Sequence, residues 1–119
     1  MADDIRQRTF ALALRVATLG RDTEYGLTVR RTIVRQLVRA TFSVGANVEE
    51  AAGAHTKPDF IARMAIARKE CREVNYWLRL AEETHVIDHA DWPALRQEAM
   101  EVGRVVAAIT RNAQRSSSR

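Results

Sequence analysis

The sequence predicts an all-α fold: an antiparallel up-and-down four-helix bundle forming a single domain over residues 1–119. Three observations predict it. Four segments repeat apolar residues at alternating steps of four and three, which places them on one face of a helix. The mean step of about 3.5 residues suits helices crossing at shallow angles in a left-handed bundle. Two prolines and five glycines in 119 residues leave few points at which a long helix must stop.

The first helix is expected over about residues 4–20, with the seam Ile5, Thr9, Leu12, Val16 and Leu19 ending at Gly20. From Gly20 to Gly26 the polar run Arg21-Asp22-Thr23-Glu24 reads as the loosest connection in the chain. The second helix, about 27–53, carries Val34, Leu37, Thr41, Val44, Val48 and Ala51 and stops near Gly53. Thr56-Lys57-Pro58-Asp59 then supplies a hydroxyl cap, an early proline and an acid at the third position, the chemistry of a helix start. The third helix follows over about 57–84, with Phe60, Met64, Ala67, Cys71, Val74, Leu78 and Ala81. Asp91-Trp92-Pro93 opens the fourth, about 91–113, along Leu95, Ala99, Val102, Val106, Ile109 and Ala113, and residues 114–119 read as a frayed basic tail.

Composition narrows the class of protein. Hydrophobic content of 46% with 29% charged residues argues for a folded chain rather than a disordered one. The single Cys71 permits no internal disulfide, so nothing points to an oxidising compartment. Met1-Ala2-Asp3-Asp4 is acidic and leads into no apolar run, which speaks against a signal peptide, and no stretch approaches the ~20 apolar residues of a membrane span. A cytoplasmic location with no membrane partner is the expectation.

The net charge of +4 is modest, but its distribution is not even: 17 of the 19 basic residues are arginine. Arg30, Arg31, Arg35 and Arg39 crowd a stretch with no acid between Glu24 and Glu49, and Arg31, Arg35 and Arg39, four apart, are expected to form one stripe down a helix. Arg104, Arg111, Arg115 and Arg119 add charge near the C-terminus. Arginine suits phosphate because its planar fork donates two hydrogen bonds at once. Arg30, Arg31, Arg35, Arg39, Arg104 and Arg111 are therefore the candidate nucleic-acid contacts, for RNA or DNA. Few aromatic residues accompany them, so base stacking is not indicated. The same arginines read equally well as solvated helix faces.

Beside its seam the second helix carries a stripe that turns from apolar to polar: Val29, Ile33, Gln36, Ala40, Ser43, Asn47, Glu50. The third carries Ile66, Glu70, Glu73, Trp77 and Leu80, carboxylates framed by large apolar groups. Facing stripes would bring Asn47 and Glu50 to Glu70, Glu73 or Lys69 in a partly buried polar layer, which endures only when its members satisfy one another. Ser43, Asn47, Glu50, Glu70 and Glu73 are thus expected to be structural, fixing register; a catalytic carboxylate pair is the alternative.

No metal, cofactor or catalytic set is expected. A di-iron bundle needs two Glu-x-x-His motifs and two further glutamates. Glu82-Glu83-Thr84-His85 supplies one, whereas His55 and His89 follow Ala52 and Val86. His85 and His89 are four apart across an expected helix end, a weak zinc pair. Cys71 lies in an apolar seam, and no glycine-rich phosphate loop is present. The chain reads as a non-enzyme.

The middle of the chain resembles a known family. Gln36-Leu37-Val38-Arg39, Ser43-Val44-Gly45-Ala46-Asn47-Val48-Glu49-Glu50-Ala51, Lys57-Pro58-Asp59-Phe60-Ile61, and Lys69-Glu70 with Glu73 and Tyr76-Trp77-Leu78 are similar to the bacterial four-helix bundles encoded in intervening sequences of 23S rRNA genes. The same family includes the accessory variability determinants of diversity-generating retroelements. The likeness spans residues 33 to 81. It implies a homopentamer and, in the retroelement branch, binding to a reverse transcriptase and its RNA through basic surfaces. It also implies that Ser43, Asn47, Glu50, Glu70 and Glu73 are architectural. Phe42, where relatives carry a small residue, and Arg68, where they carry an apolar one, depart from the pattern. The function expected is that of a non-catalytic oligomeric accessory protein binding nucleic acid or a nucleic-acid enzyme. The alternative is a purely structural or protein-binding oligomer encoded in an rRNA intervening sequence.

Overall fold

The computed structural model describes residues 3–88 and 90–117, with side chains over 7–88 and 90–116. The side chain of Ile5 and all of His89, Ser118 and Arg119 lie outside the described residues. Four helices make up the fold: α1 (Asp3–Arg21), α2 (Gly26–Ala52), α3 (Lys57–Thr84) and α4 (Trp92–Ser117). There is no strand among the described residues. The fourth helix runs on to Ser117 instead of giving way to a tail after Ala113. Gln114, Arg115 and Ser116 lack any helix breaker, and the Lys57 ammonium at the start of α3 donates to Ser116 Oγ, holding the last turn.

The connections are tighter than their composition suggests. Between α1 and α2 the backbone folds through Asp22 N–H to Thr18 C=O, Thr23 N–H to Gly20 C=O and Gly26 N–H to Thr23 C=O, each 3.2 Å. A Cβ on Gly20 would stand 2.7 Å from Val29 Cγ2, and one on Gly26 would stand 2.6 Å from the Arg21 carbonyl oxygen. Both positions need glycine for space. The Arg21 guanidinium crosses to donate to the Thr84 carbonyl, tying this turn to the end of α3. Thr56 caps α3, its Oγ1 accepting from Asp59 N–H at 3.2 Å. At the other end His85 takes the left-handed conformation, φ 57°, and donates its N–H to Glu82 C=O.

Helix α3 is the hub. Its backbone packs against α1, α2 and α4, whereas among the described residues those of α1 and α4, and of α2 and α4, do not approach one another. The seam Met64, Ala67, Cys71, Val74, Leu78 and Ala81 is buried along its whole length. Ala51 joins Met64, Ala67, Cys71 and Val106 at one end; Ala40 joins Val74 and Leu78 in the middle; Ile33 joins Leu80, Ala81 and Phe10 at the other. That sequence of partners makes α2 and α3 antiparallel. Buried Thr84 and Thr110 are satisfied within the helices: Thr84 Oγ1 donates to Leu80 C=O at 2.7 Å, Thr110 Oγ1 to Val106 C=O at 2.7 Å.

The other helices bury faces rotated from their 4-3 seams to different degrees, most on α1. On α1, Phe10 is 6% exposed with Leu14 and Ala17 packed beside it, while Leu12, Val16 and Leu19 are 61%, 61% and 69% exposed. On α2 the neighbouring stripe supplies buried Ile33 and Ala40, while the seam supplies buried Ala51 with Leu37 and Val44 packed beside the core. Leu80, from the extra stripe of α3, is used inside the chain to seat α1, while Ile66 faces outward.

Thr56→Ala removes the α3 cap and is expected to cost about 1 kcal/mol. Leu78→Ala, at the centre of the core, is expected to cost about 2–5 kcal/mol. His85→Gly relieves the left-handed backbone and is expected to gain up to about 1 kcal/mol. Urea denaturation followed by circular dichroism reads all three.

Candidate nucleic-acid interface

Successive steps of four residues drift by about 40° around a helix of 100° per residue. Arg31, Arg35 and Arg39 therefore do not stay on one line. Arg31 and Arg35 project from the outer face of α2 and are exposed, as is Arg30 beside them. Arg39 has rotated to the edge of α3. There Nη1 donates to Glu70 Oε2 at 3.1 Å, Nη2 to Glu73 Oε1 at 2.5 Å and Nε to Gln36 Oε1 at 3.2 Å. Its fork is occupied, so Arg39 belongs to the polar layer at the α2–α3 edge and not with the free arginines. On α4, Arg104 and Arg111 are exposed. Among the described residues no carboxylate pairs with Arg30, Arg31, Arg35, Arg104 or Arg111.

The polar layer forms around Arg39 rather than around Asn47. Glu70 is buried and Glu73 half-buried. Trp77 Nε1 donates a second hydrogen bond to Glu73 Oε1 at 3.2 Å. The bond from Arg39, then that from Trp77, holds the Glu73 carboxyl below its usual range, and the same contact raises the Arg39 guanidinium. Asn47 and Glu50 do not reach these groups. The antiparallel register places them level with Ala67 and Met64, beyond Glu70 along α3. Asn47 instead donates within α2 to Ser43 C=O at 2.9 Å and Ser43 Oγ at 3.2 Å, and Glu50 is exposed.

The residues weighed for chemistry are kept apart. Glu82 accepts from Arg96 Nη1 at 2.6 Å, and His85, its partner in the Glu-x-x-His spacing, lies beyond the end of α3 in the left-handed region. No group of three His, Cys, Asp or Glu residues gathers among the described residues to hold a metal. The Cys71 thiol is buried, and burial followed by the neighbouring Glu70 charge pushes its pKa up, away from a reactive thiolate.

Two features went unread in the sequence. Phe42 is 72% exposed, seven residues beyond Arg35 and so on the same outer face, which gives the basic surface an aromatic group after all. Arg68, Arg72, Asn75 and Arg79 follow one another at steps of four, three and four and form a polar stripe down α3, with Arg68 and Arg79 on either side of the core seam's midpoint. The spacing is visible in the sequence, but that this arc faces a gap between helices is a tertiary property.

Fold and site together define an all-α bundle that offers surfaces, with its internal carboxylates neutralised. The chain belongs to the 23S rRNA-intervening sequence protein family, whose pattern matches residues 2–108. Among solved structures it is similar to a protein of unknown function from the S23 ribosomal protein family of Bacteroides thetaiotaomicron, determined at 1.70 Å resolution. The two are 28% identical, the match covers 86% of this chain and 92% of that one, and the TM-score is 0.62. No curated protein matches the chain. No helix among the described residues is long and apolar enough to cross a membrane.

The Arg39 clasp carries a pH signature. A carboxylate held below its ordinary value of 4.5 stabilises the fold above that value, and the contribution is lost as pH falls through the depressed one. Arg39→Met is expected to unfold at lower urea than the parent at neutral pH, with the gap shrinking well below pH 4.5. A gap independent of pH would assign the effect to packing by the arginine stem.

Proposed function

We propose that this chain is a non-catalytic, self-assembling accessory protein whose outer basic face contacts nucleic-acid phosphates. The observation that carries the reading is the outer face of α2: Arg31 and Arg35 stand exposed and unpaired, beside Arg30 and in line with exposed Phe42. Arginine forks suit phosphate, and an exposed ring suits an unpaired base. Membership of a family named for 23S rRNA intervening sequences supports an RNA-associated setting.

Self-assembly is supported by apolar surface. Val34 and Val38 on α2, and Val102, Val105 and Ile109 on α4, are all exposed, in excess of what scattered surface residues would give. The homopentamer implied by the resemblance would cover such faces and multiply the chain's net charge of +4 fivefold, strengthening phosphate binding and its salt dependence. A nucleic-acid enzyme such as a reverse transcriptase is the protein partner this reading accommodates.

Fluorescence anisotropy with mixed-sequence RNA and DNA at two salt concentrations tests it. The triple variant R30Q/R31Q/R35Q is expected to bind at least tenfold more weakly and to lower the slope of log affinity on log salt by roughly 2. F42A is expected to weaken single-stranded binding more than duplex binding. Unchanged affinity in the triple variant would leave the alternative, an oligomer whose arginines only solubilise it. Light scattering is expected to show a pentamer, and a monomer would refute the assembly.

A further inference from the structure

Because α1 and α4 both lean on α3 without meeting, they leave a cleft of about 660 Å³ between them, floored by α3. Four arginines line it: Arg68, Arg72 and Arg79 from α3 and Arg96 from α4. Among the described residues no aspartate or glutamate does. In a chain with 15 acidic residues, that exclusion sets the cleft apart from an ordinary solvated face.

The four arginines are not equivalent. Arg79 is anchored by Glu83 Oε2 at 2.8 Å and by the Phe10 ring, whose centroid lies 3.8 Å from its guanidinium carbon. Arg96 is anchored through Nη1 to Glu82 Oε1. Arg68 and Arg72, one turn apart, pair with no carboxylate among the described residues. Two adjacent unneutralised forks at one end, and two held forks at the other, form an anion cradle rather than an internal salt-bridge network.

The wall between them is also unfinished. Asn75 uses its amide N–H groups on Cys71 C=O at 2.9 Å and Ala99 C=O at 3.4 Å, which leaves Oδ1 buried without a donor. Arg96 Nε is buried without an acceptor. Both atoms are shielded from solvent, so the two orphans lie behind the cleft surface and not on it. Aromatic Phe10 and Tyr76 and apolar Met100 supply the remaining surface. The volume falls within the usual range for small-molecule sites.

We infer that the cleft between α1 and α4 binds an organic phosphate of nucleotide size, its phosphates on Arg68 and Arg72 and its ring against Tyr76 and Met100. The inference stands apart from the basic face of α2. It draws on different residues and concerns a small ligand, not a polymer.

Isothermal titration of the full chain with ADP, adenosine, inorganic phosphate and a 5′-phosphorylated oligonucleotide tests it. ADP is expected to bind saturably, with adenosine and phosphate each at least tenfold weaker. R68Q/R72Q is expected to weaken ADP binding tenfold or more, while R31Q/R35Q leaves it unchanged. R72Q alone, at an exposed position, serves if the double variant does not fold, and circular dichroism decides that. Absence of saturable ADP binding would overturn the proposal. So would equal affinity in R68Q/R72Q or R72Q, equal loss in R31Q/R35Q, or binding of the oligonucleotide alone.

Discussion

The close packing of α2 against α3 through small residues is the constraint on which the rest of the structure depends. Ala40, Ala67 and Ala81 have no exposed surface, so the two backbones meet with little between them. The larger groups Met64, Val74 and Leu78 fill the space that remains on either side. With this pair fixed, the antiparallel register is fixed, and with it the level at which Arg39 arrives at α3. The ion pairs to Glu70 and Glu73 are a product of that register. They would be lost by a slip of one turn, which explains how a buried carboxylate is tolerated in so thin a core.

The hub role of α3 follows from the same pairing. Its seam is buried on the side shared by α2 and α4, Leu80 reaches round to α1, and the remaining arc carries arginine. At 100° per residue, Glu70 and Glu73 lie roughly opposite Arg68, Arg72 and Arg79, with the apolar seam between them. Acid meets base across the α2 interface, whereas the arginines face a gap.

The fold class was legible because a 3.5-residue period over four long segments, with so few helix breakers, has almost no other solution. The Thr56 cap and the α3 seam were legible for the same local reason. Which stripe an outer helix buries was not, because two adjacent stripes of α2 are both apolar near Ile33 and Val34, and the choice is made by α3. On α1 the pattern favoured Leu12, Val16 and Leu19, whereas the aromatic Phe10, with more area to bury and a guanidinium stacked on it, determined the rotation. Spacing gave the candidate arginines. It could not separate Arg39 from Arg31 and Arg35, since the cumulative drift that turns one of them inward matters only once a neighbouring helix is in place. The exposed state of Phe42 is likewise a tertiary property.

The absence of any backbone contact between α1 and α4 has a mechanical consequence. At its C-terminal end α1 is fastened by the tight turn at Gly20 and Gly26 and by the Arg21 clasp on Thr84, and midway by Phe10. Among the described residues the α4 backbone stays clear of it, and Trp92 at the start of α4 packs against the cluster that holds Phe10. Under load the molecule therefore behaves as a stiff three-helix slab bearing a lever with its fulcrum near Arg21, and displacement applied to α4 reaches that lever chiefly through α3.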